Sequence, residues 1–501
     1  MKKRIIVWFR TDLRLQDHLP LHTASQEQAD ILPVYVFEEH FLGKTAFGFP
    51  KTANFRTQFL IESVADLQAN LREKGTELLI RKGNTADILA QLAEDWKATH
   101  LYYYEDNIHE EKQIADALTS KLQALNVAVQ AFWGHTLLHP DDLPFGIRQM
   151  PDVFSDFRRK AEHNTVIRPC LPAPEHIPLA HEYGVSPLPT LEDFGLSPVN
   201  NDSRAVIPFK GGETEALKRL HYYLWEASLL RYYKESRNGL LGGDYSTKFS
   251  PWLALGCLSP RKIMQEVERY ENQVIRNEST YWLFFELLWR DYFRFASVKH
   301  GNKLFLRSGI SNFPLQFRRD EKRFQIWAEG QTGYPIVDAN MRELKATGFM
   351  SNRGRQIAGS FLTKNLGIDW RMGAEWLESL LIDYDPASNY GNWNYVAGVG
   401  FDPRGFRFFN PTKQSQDHDP QGLYIKTWLP ELNNVPVARL FEPWRWDVNE
   451  QQKYNVLLGR DYPKAVVDLN ASAKENEIEF KKAMQRDGIK VNNSLIRKFV
   501  K

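Results

Sequence analysis

Three segments concentrate residue types that packing alone does not require. Tyr245-Ser246-Thr247-Lys248-Phe249-Ser250-Pro251 strings hydroxyls and a cation ahead of a proline, which reads as a turn into a helix start. Free N–H groups at such a start, together with the hydroxyls, would hold phosphate, and a plain N-cap is the alternative. Residues 282–291 are apolar and aromatic except for Glu286, Arg290 and Asp291. On a helix Glu286, Trp289 and Arg290 share a face. The acid is then either paired with Arg290 at the surface or sunk and functional, because an unpaired buried charge is costly. Residues 383–395 gather Asp383, Asp385, three asparagines and four aromatics in a loop-like stretch suited to a polar ligand. Two carboxylates without clustered His or Cys are a weak metal signature, and no metal is expected.

The elements that must position these residues fall into two kinds. Short β-branched or aromatic runs at 5–9, 31–37, 77–80, 99–104 and 127–133 read as strands, and Phe55, Phe59, Val64, Leu67 and Leu71 approximate a helical stripe between them. Alternating strands and helices imply a parallel, doubly wound α/β sheet covered on both faces. The turn after the first strand, Arg10-Thr11-Asp12-Leu13-Arg14, lacks glycine, so a standard dinucleotide site there is not expected. Eleven of the 26 prolines lie between Pro140 and Pro208, which reads as a long linker laid over the surface. Beyond Gly211 the pattern turns helical and aromatic. The expected division is therefore an α/β domain over 1–134, a linker over 135–210, a large all-α domain over 211–463 and a charged, helix-like tail over 464–501.

Composition narrows the classes. The 501 residues carry 43% hydrophobic and 25% charged side chains, ordinary for a globular protein of two or three domains. Two cysteines cannot build a disulfide framework, so a reducing compartment is expected. The apolar run at 5–9 is too short for a signal peptide, and the most apolar segment, 281–289, is short and carries Glu286. With no signal, transit or membrane-spanning segment recognised, a cytoplasmic location is expected. Net charge is +2, split as −3 over residues 1–130 and +5 over the rest. That slight excess places any phosphate-bearing partner on the helical half, with a solvated face as the default reading. Fourteen tryptophans offer stacking surfaces, although large cores also use them.

Taken together, these segments resemble the photolyase/cryptochrome family, most closely its DASH branch. The resemblance runs from residues 7–17 (Val7-Trp8-Phe9-Arg10-Thr11-Asp12-Leu13-Arg14-Leu15-Gln16-Asp17) through 330–342 (Gly330 to Arg342, with Gly333-Tyr334-Pro335 at its centre) to Phe408-Phe409-Asn410-Pro411, with Met150 to Arg158 in the linker as a branch feature. It implies an N-terminal antenna domain and a helical domain holding a folded FAD. Tyr233, Ser246, Thr247, Lys248, Phe249 and Ser250 resemble positions that hold the cofactor phosphates. Leu283, Asn352, Arg355, Asp383, Tyr384 and Asp385 resemble positions of the flavin and adenine ends, with Arg355 and Asp383 as a charge pair. Asn389 resembles the asparagine facing flavin N5, whose amide would stabilise reduced or radical flavin while the flavin does the electron chemistry.

The same resemblance implies blue-light repair of cyclobutane pyrimidine dimers in DNA. Glu286 would hydrogen-bond the dimer and Trp289 would pack on its apolar side. Arg237, Arg353 and Arg407 would meet phosphates. Gln356 and Tyr395 stand where duplex photolyases carry Met and Trp, which weakens contact with a flipped dimer and implies a preference for single strands. The family's relay of three tryptophans falls on Trp393, Trp370 and position 317, where this chain has Phe317, a ring much harder to oxidise. Glu110 resembles an acid that holds a methenyltetrahydrofolate antenna, with residues 51–56 beside it. A monomer is expected. The alternatives are a blue-light receptor without repair and an ordinary dark flavoenzyme. The short segment after the core favours the lyase over a receptor.

Overall fold

The computed structural model describes residues 2–402 and 406–486. Strands β1 (Arg4–Phe9), β2 (Asp30–Glu38), β3 (Leu79–Gly83), β4 (His100–Tyr104) and β5 (Ala128–Phe132) form one sheet in the order β3-β2-β1-β4-β5. Every neighbouring pair is parallel, with Val7 opposite Pro33 on one side and Tyr102 on the other. Residues Ile5 to Phe9 of β1 are buried on both faces, as a central parallel strand requires. Ile6, Trp8, Leu32 and Val34 meet Leu89, Leu92, Leu118 and Leu122 of the helices Thr85–Asp95 and His109–Ala124. On the other face Ile5, Val7 and Phe9 join Phe59, Val64, Leu67 and Leu71 of the helix Asn54–Glu73. The strand order reverses between β1 and β4, and such a switch point opens a crevice at the carboxyl ends of the strands.

That second face is continuous with the core of the helical half. Polar ties fix the join. The Glu213 carboxylate accepts from the N–H groups of Leu15 and Gln16 at 2.8 and 3.0 Å, and Arg261 meets Asp17 at 2.8 Å.

Two expectations change in detail. The proline-rich segment is not merely laid over the surface: Leu137, Leu138, Met150, Phe154, Phe157 and Ile177 are buried in the shared core, and Phe154–Asn164 is a helix. Apolar residues spaced between the prolines pull the segment inward. The charged stretch after 464 contains the helix Leu469–Arg486, docked rather than trailing. Its Phe480 ring lies 4.9 Å from Phe313, and Asn476 Nδ2 donates to the carbonyls of Lys364 and Asn365. Residues 487–501 of that stretch lie outside the described residues. Among the described residues no helix is long and apolar enough to cross a membrane.

Candidate functional site

The helix Glu278–His300 starts with a capping box between Asn277 and Thr280 and presents the expected face. Arg290, however, does not pair with Glu286: its guanidinium donates to the carbonyls of His135 and Leu253. Glu286 instead meets Arg237 at 2.5 Å, both side chains half-buried. The surface i, i+4 pair fails because Arg290 finds one carbonyl at the start of the linker and one elsewhere in the helical half. Burial raises the Glu286 carboxyl above its ordinary value, more than Arg237 lowers it. Trp289 stacks on Phe154 at 3.6 Å and 14° and meets Tyr395 edge-on at 6.3 Å. Phe154 belongs to the linker, so that segment completes the aromatic wall.

Cations rim this pocket. Arg353 donates to Asn238 Oδ1 at 3.0 Å, while its buried Nε has no partner among the described residues. Arg407 and Arg353 both lie over the Phe409 ring, at 4.9 and 5.9 Å. Burial, then the charges of Arg237 and Arg407, lowers the pKa of Arg353 below the ordinary arginine value. Three mutually repelling guanidiniums suit an anion. Tyr233, expected with the cofactor phosphates, is buried within electrostatic reach of Glu286 and Arg237, so it also borders this pocket.

A second group lies deeper. Arg355 Nη2 reaches the two Asp383 oxygens at 2.9 and 2.7 Å. Residues 383–395 are not a loop throughout. Asp385 caps a helix, Pro386–Ala397, by accepting from Ala387 N–H at 3.2 Å, with Pro386 in its first turn. Asn389, on that helix, donates from Nδ2 to the Ala374 carbonyl at 3.1 Å, which orients its amide. Trp393 lies against Gly373 of the helix Trp370–Leu380, where a Cβ would overlap the indole. Asn352, Arg355, Gln356, Asp383, Asp385, Asn389 and Trp393 line one cavity.

The hydroxyl-rich turn comes beside it. The Arg219 guanidinium donates to the carbonyls of Gly243, Ser246 and Thr247 at 2.9, 3.2 and 3.0 Å. Phe249 is the N-cap of the helix Ser250–Ala254 and makes no side-chain cap bond, so the plain N-cap reading does not hold and the hydroxyls are not used in that way. Lys248 has φ +60° and is buried. Its Nζ lies 3.0 Å from the Tyr245 ring centroid and hydrogen-bonds no described residue. Burial pushes this ammonium well below the ordinary lysine value, against the pull of Glu343. Lys248 and Arg355 both lean on Phe349, at 5.1 and 5.9 Å, which joins the turn to the Arg355–Asp383 pair. Leu283 is buried one helical turn before Glu286 on the helix Glu278–His300.

The crevice at the strand ends is a cleft of about 790 Å³ shared by the two halves. Glu110 lies in it, 2.5 Å from Lys51 and 3.3 Å from His40. Burial alone would raise its carboxyl, but Lys51 and then His40 hold it below the ordinary value. Glu111 and Glu378, which no spacing in the sequence singled out, line the same cleft, as does Tyr390 of the 383–395 stretch. Burial and the nearby Asp106 push Glu111 up to about 8. Trp370 is fully buried, donates to the Arg307 carbonyl at 3.0 Å, and meets Tyr390 edge-on at 6.1 Å. Phe317 is half-buried beside Arg318, which bridges to Ile368 two residues before Trp370.

Comparison with known proteins bears on the family and fold of the two halves. The family model described as DNA photolyase matches residues 5–176, and the FAD binding domain of DNA photolyase matches 282–482. Cryptochrome DASH of Gloeobacter violaceus is 53% identical over 96% of this chain and 97% of its own length. Cryptochrome DASH of Xenopus laevis is 46% identical over 92% and 89%. Among solved structures, the Synechocystis cryptochrome superposes with a TM-score of 0.92 at 48% identity, covering 95% of this chain and 99% of its own. A class III photolyase from Agrobacterium tumefaciens gives 0.85 at 29%, covering 97% and 98%. The residues fit FAD: an orphaned buried ammonium suits a pyrophosphate, and the Arg355–Asp383 pair with Asn389 suits a polar heteroaromatic ring. This chain therefore belongs to the photolyase/cryptochrome family, on its cryptochrome DASH branch.

Proposed function

We propose that this protein is a light-driven lyase that splits cyclobutane pyrimidine dimers, preferring single-stranded or looped-out DNA, and that it works as a monomer. The observation that carries the reading is Glu286, half-buried at 2.5 Å from Arg237, with Trp289 one helical turn on and Arg353 and Arg407 gathered near Arg237. FAD supplies the electron when bound and reduced. It would be held by Ser246, Thr247, Lys248 and Ser250 at its phosphates, and by Asn352, Arg355, Asp383, Tyr384, Asp385 and Asn389 at its rings.

The chain's own groups then act on the lesion. The arginines hold the phosphates on either side of it and carry no sequence information. Trp289, fixed by its stack on Phe154, covers the apolar side of the dimer. Glu286, biased by burial toward its protonated form, donates to a dimer carbonyl as negative charge develops there. Extruding a dimer from a duplex, general for photolyases, costs roughly a few kcal/mol. Gln356 and Tyr395 offer less apolar contact to offset it than Met and Trp do, whereas a single strand carries less of that cost. In the cleft, Glu110 stays ionised and accepts from the donor edge of a methenyltetrahydrofolate antenna.

The test is to illuminate the reduced holoprotein with one dimer placed in a single strand or a matched duplex, and to follow dimer loss. Loss on the single strand with little on the duplex is expected. No loss on either strand overturns the reading.

A further inference from the structure

With Phe317 at the outer relay position, a hole left on Trp370 needs another donor, and the ring it meets edge-on is Tyr390. Tyr390 is 7% exposed, and its hydroxyl donates to Glu378 Oε2 at 3.3 Å. The phenol therefore has a base on one side and an indole on the other. Phe305, whose ring lies 4.6 Å from Tyr390, closes the third side with a ring that cannot be oxidised in its place. Tyr390 and Glu378 both line the cleft, so this end of the path opens toward solvent-borne molecules.

We propose that Tyr390 is the terminal electron donor of the relay in this chain, with Glu378 as its proton acceptor. The proposal rests on the flavin-and-tryptophan reading above. An electron passes from the Tyr390 phenol to the Trp370 indole radical cation, itself oxidised through Trp393 by photoexcited oxidised flavin. The phenol O–H bond breaks and its proton goes to the Glu378 carboxylate. The products are neutral Trp370, a neutral Tyr390 phenoxyl radical and a neutral carboxylic acid. A cation and an anion disappear together, which a low-dielectric interior favours. Burial pushes Glu378 up to about 7, against the pull of Arg56 and Tyr384, so it exchanges a proton readily near neutrality. A small thiol entering the cleft then returns a hydrogen atom to the phenoxyl oxygen, and Glu378 releases its proton.

Flash excitation of the FAD-loaded, oxidised protein followed by electron paramagnetic resonance tests this. Wild type should give a tyrosyl spectrum that narrows when the protein is grown on ring-deuterated tyrosine, a check that needs no substitution. Tyr390→Phe should replace it with a tryptophan radical that decays at least fivefold faster, and Glu378→Gln should slow tyrosyl formation. In Phe317→Trp the tyrosyl signal should fall, because the hole gains a second exit. Flavin reduction with a tryptophan radical and no tyrosyl signal in wild type overturns the proposal. A protein that binds no FAD, seen from its absorption spectrum, would instead overturn the underlying reading.

Discussion

Glu286 and Glu110 each hold a cation at 2.5 Å, yet their acidities move in opposite directions. Glu286 sits on an aromatic helix, and its partner Arg237 is repelled by Arg353. Desolvation prevails there and shifts the balance toward the neutral acid. Glu110 is at the rim of the cleft with 39% of its side chain exposed, and two bases, Lys51 and His40, face it. Desolvation raises this carboxyl as well, but Lys51 and His40 together outweigh it and favour the anion. One charged neighbour at a given distance therefore does not set the direction: the balance between desolvation and the partners does. The two sites are accordingly suited to opposite tasks, Glu286 to giving a hydrogen bond and Glu110 to accepting one.

The comparison can be broken in order of expected effect. Glu286→Gln should lower repair of a saturating single-stranded substrate by about tenfold or more, about 1.4 kcal/mol of barrier, with DNA affinity within about twofold. Equal losses in both would mean the acid only binds. Arg237→Met should weaken single-strand binding about fivefold and reduce the salt slope by about 0.7. It should also remove the influence that lowers the Glu286 pKa, so that repair per bound complex persists to higher pH than in wild type. A shift of that alkaline limb to lower pH would show the ionised form to be the active one. Glu110→Gln should weaken folate binding about fivefold, roughly 1 kcal/mol, while FAD content and repair under light absorbed by the flavin stay unchanged. Titration of the folate with both proteins decides this.

The smallest effect is on stability. Because the Glu110 pKa is depressed on folding, its contribution is present above the ordinary carboxyl value near 4.5 and is lost as pH falls through the lower folded value. Wild type should exceed Glu110→Gln in thermal stability at pH 6, by less than about 1 kcal/mol for a pair this exposed, and the gap should close below pH 4. Glu286 has the opposite sign: its raised pKa contributes below the ordinary value, and that contribution is lost as pH rises through the folded one.

Much of the scaffold was legible because its signals are local. Ile5 to Phe9 is an unbroken apolar run, and Phe59, Val64, Leu67 and Leu71 recur at helical spacing, so strand and stripe were readable without partners. Residues 383–395 were harder. Gly391 and the asparagines dilute helical propensity, and the helix forms because Asp385 caps it and Trp393 packs on Gly373. The partner of Glu286 was not readable from periodicity, since Arg237 comes from a segment 49 residues away. Glu378, and the place of Tyr390 in the cleft, were missed for the same reason: only the folded helices bring them together beside Glu110.

The central claim is that the Glu286 pocket is built for dimers that need little extrusion. The most direct measurement compares repair of the same dimer in single-stranded and duplex DNA by the reduced wild type and by a Gln356→Met, Tyr395→Trp double variant, under identical light. Wild type should repair the single strand at least tenfold faster than the duplex. The variant should narrow that gap by gaining on the duplex while keeping its single-strand rate. Wild-type repair of duplex and single strand at equal rates would contradict the account.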